Sequence, residues 1–120
     1  MTANKQLSLR AKAAVASEQN VGGTIVVSSI SAWEIALLGA RGKLIFSMDI
    51  SVWLRTVAQI EAVRFMPVDT EIATTSVALP GQFHKDPADR MIVATARSLS
   101  APLVTSDAKI RAYPHVMTIW

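Results

Sequence analysis

Residues 24–38 read TIVVSSISAWEIALL, and this stretch decides the fold class. Its first part, residues 24–29, is rich in β-branched side chains and is typical of a strand buried on both faces. A helix is predicted to follow at once over residues 31–38, where Ser31 and Glu34 fit the S-x-x-E capping box. A strand that leads directly into a helix predicts an α/β fold.

The same alternation continues along the rest of the chain. The pattern predicts helices over residues 7–17, 51–63, 70–79, 86–99 and 107–113, and strands over residues 64–68, 102–105 and 116–120. In the helix at 86–99, Asp86 stands at the N-cap and Pro87 at the first helical position. Alternating strands and helices predict a mostly parallel sheet in a three-layer α/β/α arrangement.

Length and composition limit the number of domains and the kinds of site that the chain can have. Its 120 residues suffice for one domain, which we place at residues 7–120 after a loose N-terminus at residues 1–6. The absence of Cys excludes disulfides, thiolate nucleophiles and zinc sites built from Cys. No stretch approaches the roughly 18 apolar residues of a membrane span, and no secretory signal is present, so a cytoplasmic protein without a membrane partner is expected. The formal net charge of +3 permits a polyanionic partner.

Acidic residues follow the predicted strands. Glu34 comes just after the first of them, Asp107 comes directly after the strand at 102–105, and Asp89 lies in the first turn of the helix at 86–99. Because the carboxyl ends of parallel strands share one rim of a sheet, these acids can converge there. Oxygen ligands without His or Cys favour Mg²⁺ or Mn²⁺, which can activate a water for attack on a phosphodiester.

Each of these acids also has a purely structural explanation. Glu34 is explained by the capping box with Ser31, and Asp107 by an N-cap role at the helix over 107–113. Asp86 and Asp89 are explained by their favourable position at the positive end of a helix. The residues taken alone leave both interpretations open.

Three segments carry a resemblance to a known family. They are SSISAWEIALLGARGKL (residues 28–44), LPGQFHKDPADRMIVATA (residues 79–96) and APLVTSDAKIRAYPHVMTIW (residues 101–120). Together they resemble the PIN-domain ribonucleases, specifically the toxins of VapBC-type toxin–antitoxin pairs, over about residues 7–120. The resemblance implies a PIN-like fold and endonucleolytic cleavage of RNA that depends on Mg²⁺ or Mn²⁺. It also implies a cognate antitoxin and a homodimer.

The resemblance also assigns site residues. The family's second, third and fourth acids fall on Glu34, Asp89 and Asp107, which are thereby expected to be catalytic and to hold the metal. Auxiliary candidates stand beside these acids in the sequence: Asp86, Arg90, Thr105 and Ser106. Asp86 is expected mainly as a cap and Arg90 as the partner of a neighbouring acid. The hydroxyls of Thr105 and Ser106 are placed to bond a ligand water or a phosphate.

The chain departs from the family at its start, where the family has an apolar strand ending in an Asp. Without that strand, the strands at 24–29 and 102–105 must face a gap or pair with each other, and each unpaired buried backbone group costs about 1 to 3 kcal/mol. Without that Asp, three carboxylates remain where the family has four. Three explanations stay open: the true start lies upstream, the chain is a degenerate remnant, or a strand from another copy fills the gap. The alternative interpretation of the function is therefore a catalytically impaired remnant that binds an antitoxin or dimerises. A third is a generic α/β ligand-binding domain whose acids only cap helices.

The tryptophans and His84 are predicted to have structural or partner-binding roles. Trp33, Trp53 and Trp120 are each embedded in an apolar pattern, so we expect them in the core or in a partner interface rather than as stacking platforms for bases. His84 is expected to be a structural hydrogen-bonding residue and not a general base, because a metal-activated water needs no histidine.

Overall fold

Helices and strands alternate through residues 8–42 and 55–120, the part of the chain that the computed structural model describes. The elements in chain order are α1 (Leu9–Asn20), β1 (Ile25–Ser28), α2 (Ser29–Ala40), β2 (Val63–Met66), α3 (Thr70–Val77), α4 (Pro87–Ser98), β3 (Leu103–Val104), α5 (Ala108–Ala112) and β4 (Thr118–Ile119). The predicted loose N-terminus, Trp53 and residues 51–54 of the helix predicted at 51–63 lie outside the described residues. The described part of that predicted helix is helical only over residues 55–58, and Val63 already belongs to β2, so the predicted end of the helix is wrong. No helix in the described ranges is long and apolar enough to cross a membrane.

The strands form two parallel pairs. β1 pairs with β2 from Ile25 opposite Val63 onward, and β3 pairs with β4 from Leu103 opposite Thr118 onward. β1 and β3 do not pair with each other, so the described strands form two separate sheets with a cleft between them. Helix α1 packs against both β1 and β4. The predicted parallel α/β fold is confirmed. Among the described residues, the inner strands β1 and β3 face a gap and do not pair with each other, which is one of the two expected arrangements.

The start of α2 differs from the sequence prediction. Helix α2 begins at Ser29, and its N-cap is Ser28, whose Oγ accepts the backbone N–H of Ile30 at 3.2 Å. The predicted capping box at Ser31 and Glu34 is therefore wrong. Because the last residue of β1 is itself the cap, the strand passes into the helix without a loop, and Glu34 lies inside the helix instead of at its N-terminus.

The hydrophobic core lies where α3, α4 and α5 meet. Val93 in α4 has no exposed surface, and the buried residues around it are Ile72, Leu79, Ala94, Ile110 and Tyr113. The hydroxyl of Tyr113 donates to the carbonyl of Pro80, which ties the end of α5 to the turn after α3. Trp33 is 54% exposed, so a place in the core is excluded for it, whereas the partner-interface prediction stays open.

We predict that Val93→Ala lowers the free energy of unfolding by about 2 kcal/mol, because it removes two buried methyl groups and leaves a cavity in a packed core. Urea titration followed by circular dichroism measures the change. Val77→Ala is the matched control, since Val77 also lies in a helix but is 80% exposed. Equal loss of stability in both variants would contradict the placement of the core.

Candidate metal centre

Four acidic side chains act on one another at the carboxyl end of the strands, and we call them the acidic cluster: Glu34, Asp86, Asp89 and Asp107. Three local features of the fold bring them there. β1 passes directly into α2, which carries Glu34, and β3 leads into the turn that carries Asp107. Helix α4 begins after Asp86 and presents Asp89 in its first turn.

Asp89 is the centre of the acidic cluster. Burial is the largest cause that raises the pKa of Asp89, and the negative charges of Asp86 and Asp107 raise it further, as does a hydrogen bond with the Asp86 carboxyl. His84 acts in the opposite direction, and the resulting pKa of Asp89 is about 6. At neutral pH the folded protein therefore holds ionised carboxylates that repel one another.

Glu34 belongs to the same electrostatic group although it comes from a different helix. Burial raises the pKa of Glu34, and the charge of Asp86 raises it further. Asp86 thus acts on acids from both α2 and α4. This link is consistent with the predicted convergence of acids at one rim of the sheet.

Asp86 and Asp107 both occupy N-cap positions, and only Asp107 makes a side-chain cap hydrogen bond. Asp86 occupies the N-cap position of α4 as predicted, but its side chain makes no cap hydrogen bond. Asp107 does cap its helix, because its Oδ1 accepts the N–H of Ile110 at 3.0 Å. Thr105 steadies the same turn, since its Oγ1 accepts the N–H of Asp107 at 3.1 Å. Ser106 lies between them and is half-buried.

Arg90 does not pair with a neighbouring acid, so that prediction is wrong. Its guanidinium instead donates to four backbone carbonyls: from Nε to Ser76 at 2.8 Å, from Nη1 to Phe83 at 3.1 Å and His84 at 3.2 Å, and from Nη2 to Val77 at 3.3 Å. These bonds join the last residues of α3 to the segment that precedes α4. Arg90 therefore fixes the loop that carries His84. It can do so because its planar guanidinium group has five N–H donors in a fixed arrangement.

His84 contacts the centre of the acidic cluster. Its Nε2 lies 3.1 Å from Oδ2 of Asp89, and the two side chains are only 23% and 17% exposed. The ring of Phe83, with its centroid 4.3 Å away, packs against the imidazole. His84 Nε2 is buried and has no hydrogen-bond partner among the described residues, so the structural hydrogen-bonding role expected for His84 stays a prediction. Its contact with Asp89 was missed, because a loop residue five positions before a helical acid gives no periodic signal.

The donor set fits a hard divalent cation. All members of the acidic cluster offer carboxylate oxygens, and the raised pKa values of Glu34 and Asp89 indicate negative charge that a cation would offset. Among residues 8–42 and 55–120, no three Asp, Glu or His side chains lie close enough to ligate one ion directly. Mg²⁺ commonly uses one or two carboxylates and keeps several waters, and the close pair of Asp86 and Asp89 suits that mode.

The raised pKa of Asp89 predicts that stability falls as the pH rises from about 4 to about 6. In this interval the folded state binds the Asp89 proton more tightly than the unfolded state, whose pKa is near 3.8, so protonation stabilises the fold. That stabilisation is lost as the pH passes the folded-state pKa of about 6. Urea titrations across this range, on the wild type and on Asp89→Asn, measure it. The variant should lack this part of the pH dependence, and identical profiles would contradict the assignment.

Comparison with known proteins identifies the family. The model of the PIN domain matches residues 2–116. The chain is 37% identical over 98 residues to Ribonuclease VapC22 of Mycobacterium tuberculosis. These residues cover 80% of this chain and 74% of that protein.

Two solved structures share the fold. A toxin–antitoxin complex from Klebsiella pneumoniae has a TM-score of 0.53 at 24% identity, over 78% of this chain and 72% of that one. VapBC2 from Rickettsia felis, bound to a DNA fragment from its promoter, has a TM-score of 0.52 at 19% identity, over 79% and 73% of the two chains. The chain therefore belongs to the PIN-domain family and, within it, to the VapC type.

Proposed function

We propose that this chain is a metal-dependent endoribonuclease and the toxin of a toxin–antitoxin pair. The observation that carries the proposal is the mutual electrostatic influence of Glu34, Asp86, Asp89 and Asp107 at one end of the strands. The 37% identity to a protein named as a ribonuclease supports the reaction class.

Asp89, together with Asp86, would hold Mg²⁺ or Mn²⁺, and Glu34 and Asp107 would complete the site through water molecules, since Mg²⁺ retains several of them. When bound, such an ion makes a water more acidic and offsets negative charge on the phosphodiester. This set includes the three acids predicted from the sequence and adds Asp86, whose side chain makes no cap hydrogen bond.

The chain's own residues prepare the site in three ways. His84 Nε2 lies 3.1 Å from Oδ2 of Asp89, and this contact would steady the Asp89 carboxyl. Arg90 holds the loop of His84 through the carbonyls of Phe83 and His84. Partial burial of Asp89 limits competing water, and above pH 6 this carboxyl is ionised and ready to ligate.

A protein partner is proposed from the exposed apolar side chains. Leu9 is 85% exposed and Trp33 54% exposed, and large apolar side chains with this exposure suit contact with an antitoxin or with a second copy of the chain. The solved structure from Klebsiella pneumoniae is named as a toxin–antitoxin complex. The separation of β1 from β3 favours a second candidate function, a binding module that has lost cleavage.

Cleavage of a labelled single-stranded RNA by the purified chain tests the proposal. Products should form with Mg²⁺ or Mn²⁺, disappear with EDTA and return when excess Mn²⁺ is added. Cleavage that persists in EDTA would contradict metal dependence. A sample that is folded by circular dichroism but cuts no RNA with either metal would favour the binding module.

A further inference from the structure

His84 carries a buried ring nitrogen that no described residue satisfies. Its Nε2 lies 3.1 Å from Oδ2 of Asp89, yet it makes no hydrogen bond within residues 8–42 and 55–120. A close approach without a hydrogen bond means that Nε2 is directed beside the carboxylate oxygen and not at it. A buried polar atom in this state costs free energy unless a ligand satisfies it, which makes Nε2 a candidate donor to a ligand.

The distance and the direction of this contact are those of two ligands of one ion. An octahedral ion with bonds of about 2.1 Å holds neighbouring donor atoms about 3 Å apart, and each donor directs its lone pair at the ion. The 3.1 Å between Nε2 and Oδ2 fits this spacing. That Nε2 makes no hydrogen bond to Oδ2 fits the direction. One cation beside Asp89 can therefore contact His84 as well.

Neighbouring groups hold the imidazole of His84 in this position. The ring of Phe83 packs against it with centroids 4.3 Å apart, and Phe83 packs in turn against the buried ring of Tyr113 at 4.6 Å. Arg90 donates to the backbone carbonyls of Phe83 and His84 at 3.1 and 3.2 Å. A donor that is already fixed loses little conformational entropy when an ion binds to it.

Asp89 is common to two close pairs of donors. Its carboxyl is hydrogen-bonded with that of Asp86, and its Oδ2 lies beside His84. In the described ranges no three such side chains already converge on one ion. An ion can therefore take one pair directly and reach the remaining side chain through a water. The chemistry of the ion decides which pair it takes.

The two pairs suit different ions. Mg²⁺ is a hard cation that takes oxygen ligands, which matches the carboxylates of Asp86 and Asp89. Imidazole nitrogen is a ligand of first-row transition metals, and Mn²⁺ is the transition metal of the two ions considered for this site. When Nε2 ligates, the ring proton resides on Nδ1. The pair of Asp89 and His84 therefore favours Mn²⁺, because Mn²⁺ gains a nitrogen bond that Mg²⁺ does not seek.

We propose that His84 is a nitrogen ligand of the metal site and that through it the site binds Mn²⁺ in preference to Mg²⁺, with Asp89 as the carboxylate ligand beside it. The inference rests on the proposed metal-dependent function and names the metal. A direct contact with the ion differs from a role that only steadies the Asp89 carboxyl, since a steadying role would serve both ions equally.

Pulsed electron paramagnetic resonance of the full chain loaded with Mn²⁺ tests the direct contact. A coordinated imidazole gives ¹⁴N modulation of the Mn²⁺ echo, and labelling with ¹⁵N-histidine should replace it by a ¹⁵N signal. The chain has two histidines, so His115→Gln is the matched control: His115 is exposed and is not among the groups that shift the pKa of Asp89. We expect the signal in the wild type and in His115→Gln, and its loss in His84→Gln. A Mn²⁺-loaded wild type without nitrogen coupling would overturn the proposal.

Calorimetric titration with MnCl₂ and with MgCl₂ tests the preference. His84→Gln removes the imidazole, but its amide can still donate to Oδ2 of Asp89, so this variant separates the ligand role from the steadying role. We expect its Mn²⁺ affinity to fall at least about tenfold and its Mg²⁺ affinity to change by less than about threefold. An equal loss for both ions would overturn the proposal while the cation site stands. No binding of either ion by the folded wild type would overturn the cation site as well.

Discussion

Asp89→Asn is expected to lower the RNA cleavage rate by more than about a hundredfold while raising the free energy of unfolding at neutral pH. The amide keeps the shape of the side chain but removes the charge that would hold the cation. It also removes the carboxylate that Asp86 and Asp107 repel. A cation site should respond to this substitution in two ways. The protein should lose activity, and it should become more stable.

Initial cleavage rates with Mn²⁺ and urea titrations on the same samples measure both effects of this change. Glu71→Gln serves as the control, because Glu71 is exposed and is not among the groups that shift the pKa of Asp89. A variant at Asp89 that is less stable and still active would show that this residue is structural.

Arg90→Ala is expected to destabilise the fold by about 3 kcal/mol, because its guanidinium satisfies four carbonyls and their bonds to a charged donor are stronger than neutral ones. The bonds share one side chain, so their effects are not additive. Arg90→Lys should recover only a small part of this loss, since an ammonium cannot reach the same carbonyls in a planar fork.

Urea titration measures this loss as well. Lys12→Ala, an exposed cation on α1, is the matched control and should change the free energy of unfolding by less than about 0.5 kcal/mol. If Arg90→Ala and Lys12→Ala proved equally stable, the four-carbonyl arrangement would not hold the loop as described.

Local signals in the sequence were enough to predict the order of strands and helices. Asp86 and Pro87 mark the beginning of α4 correctly, and the β-branched run at 24–29 marks β1 correctly, because caps and periodicity depend on neighbours in the chain. The capping box at Ser31 failed for a local reason too. Ser28 offers a competing hydroxyl, and capping there starts α2 earlier.

The contacts that organise the site could not be predicted in this way. Arg90 reaches carbonyls 13 and 14 residues away, and the contact between His84 and Asp89 depends on how the loop before α4 folds back. Asp86 looked like a cap because its position is a cap position, and only the surrounding acids reveal that its side chain is directed elsewhere. Such contacts depend on tertiary packing, which periodicity and caps do not report.

Binding of Mn²⁺ to the purified chain, measured by isothermal titration calorimetry at neutral pH, tests the central claim most directly. The acidic cluster predicts saturable binding in the wild type, retained in Glu71→Gln and lost or weakened at least tenfold in Asp89→Asn. Binding should also weaken below pH 6, where a proton competes for Asp89. No binding by the folded wild type, or equal binding by Asp89→Asn, would contradict the assignment of a cation site to these four acids.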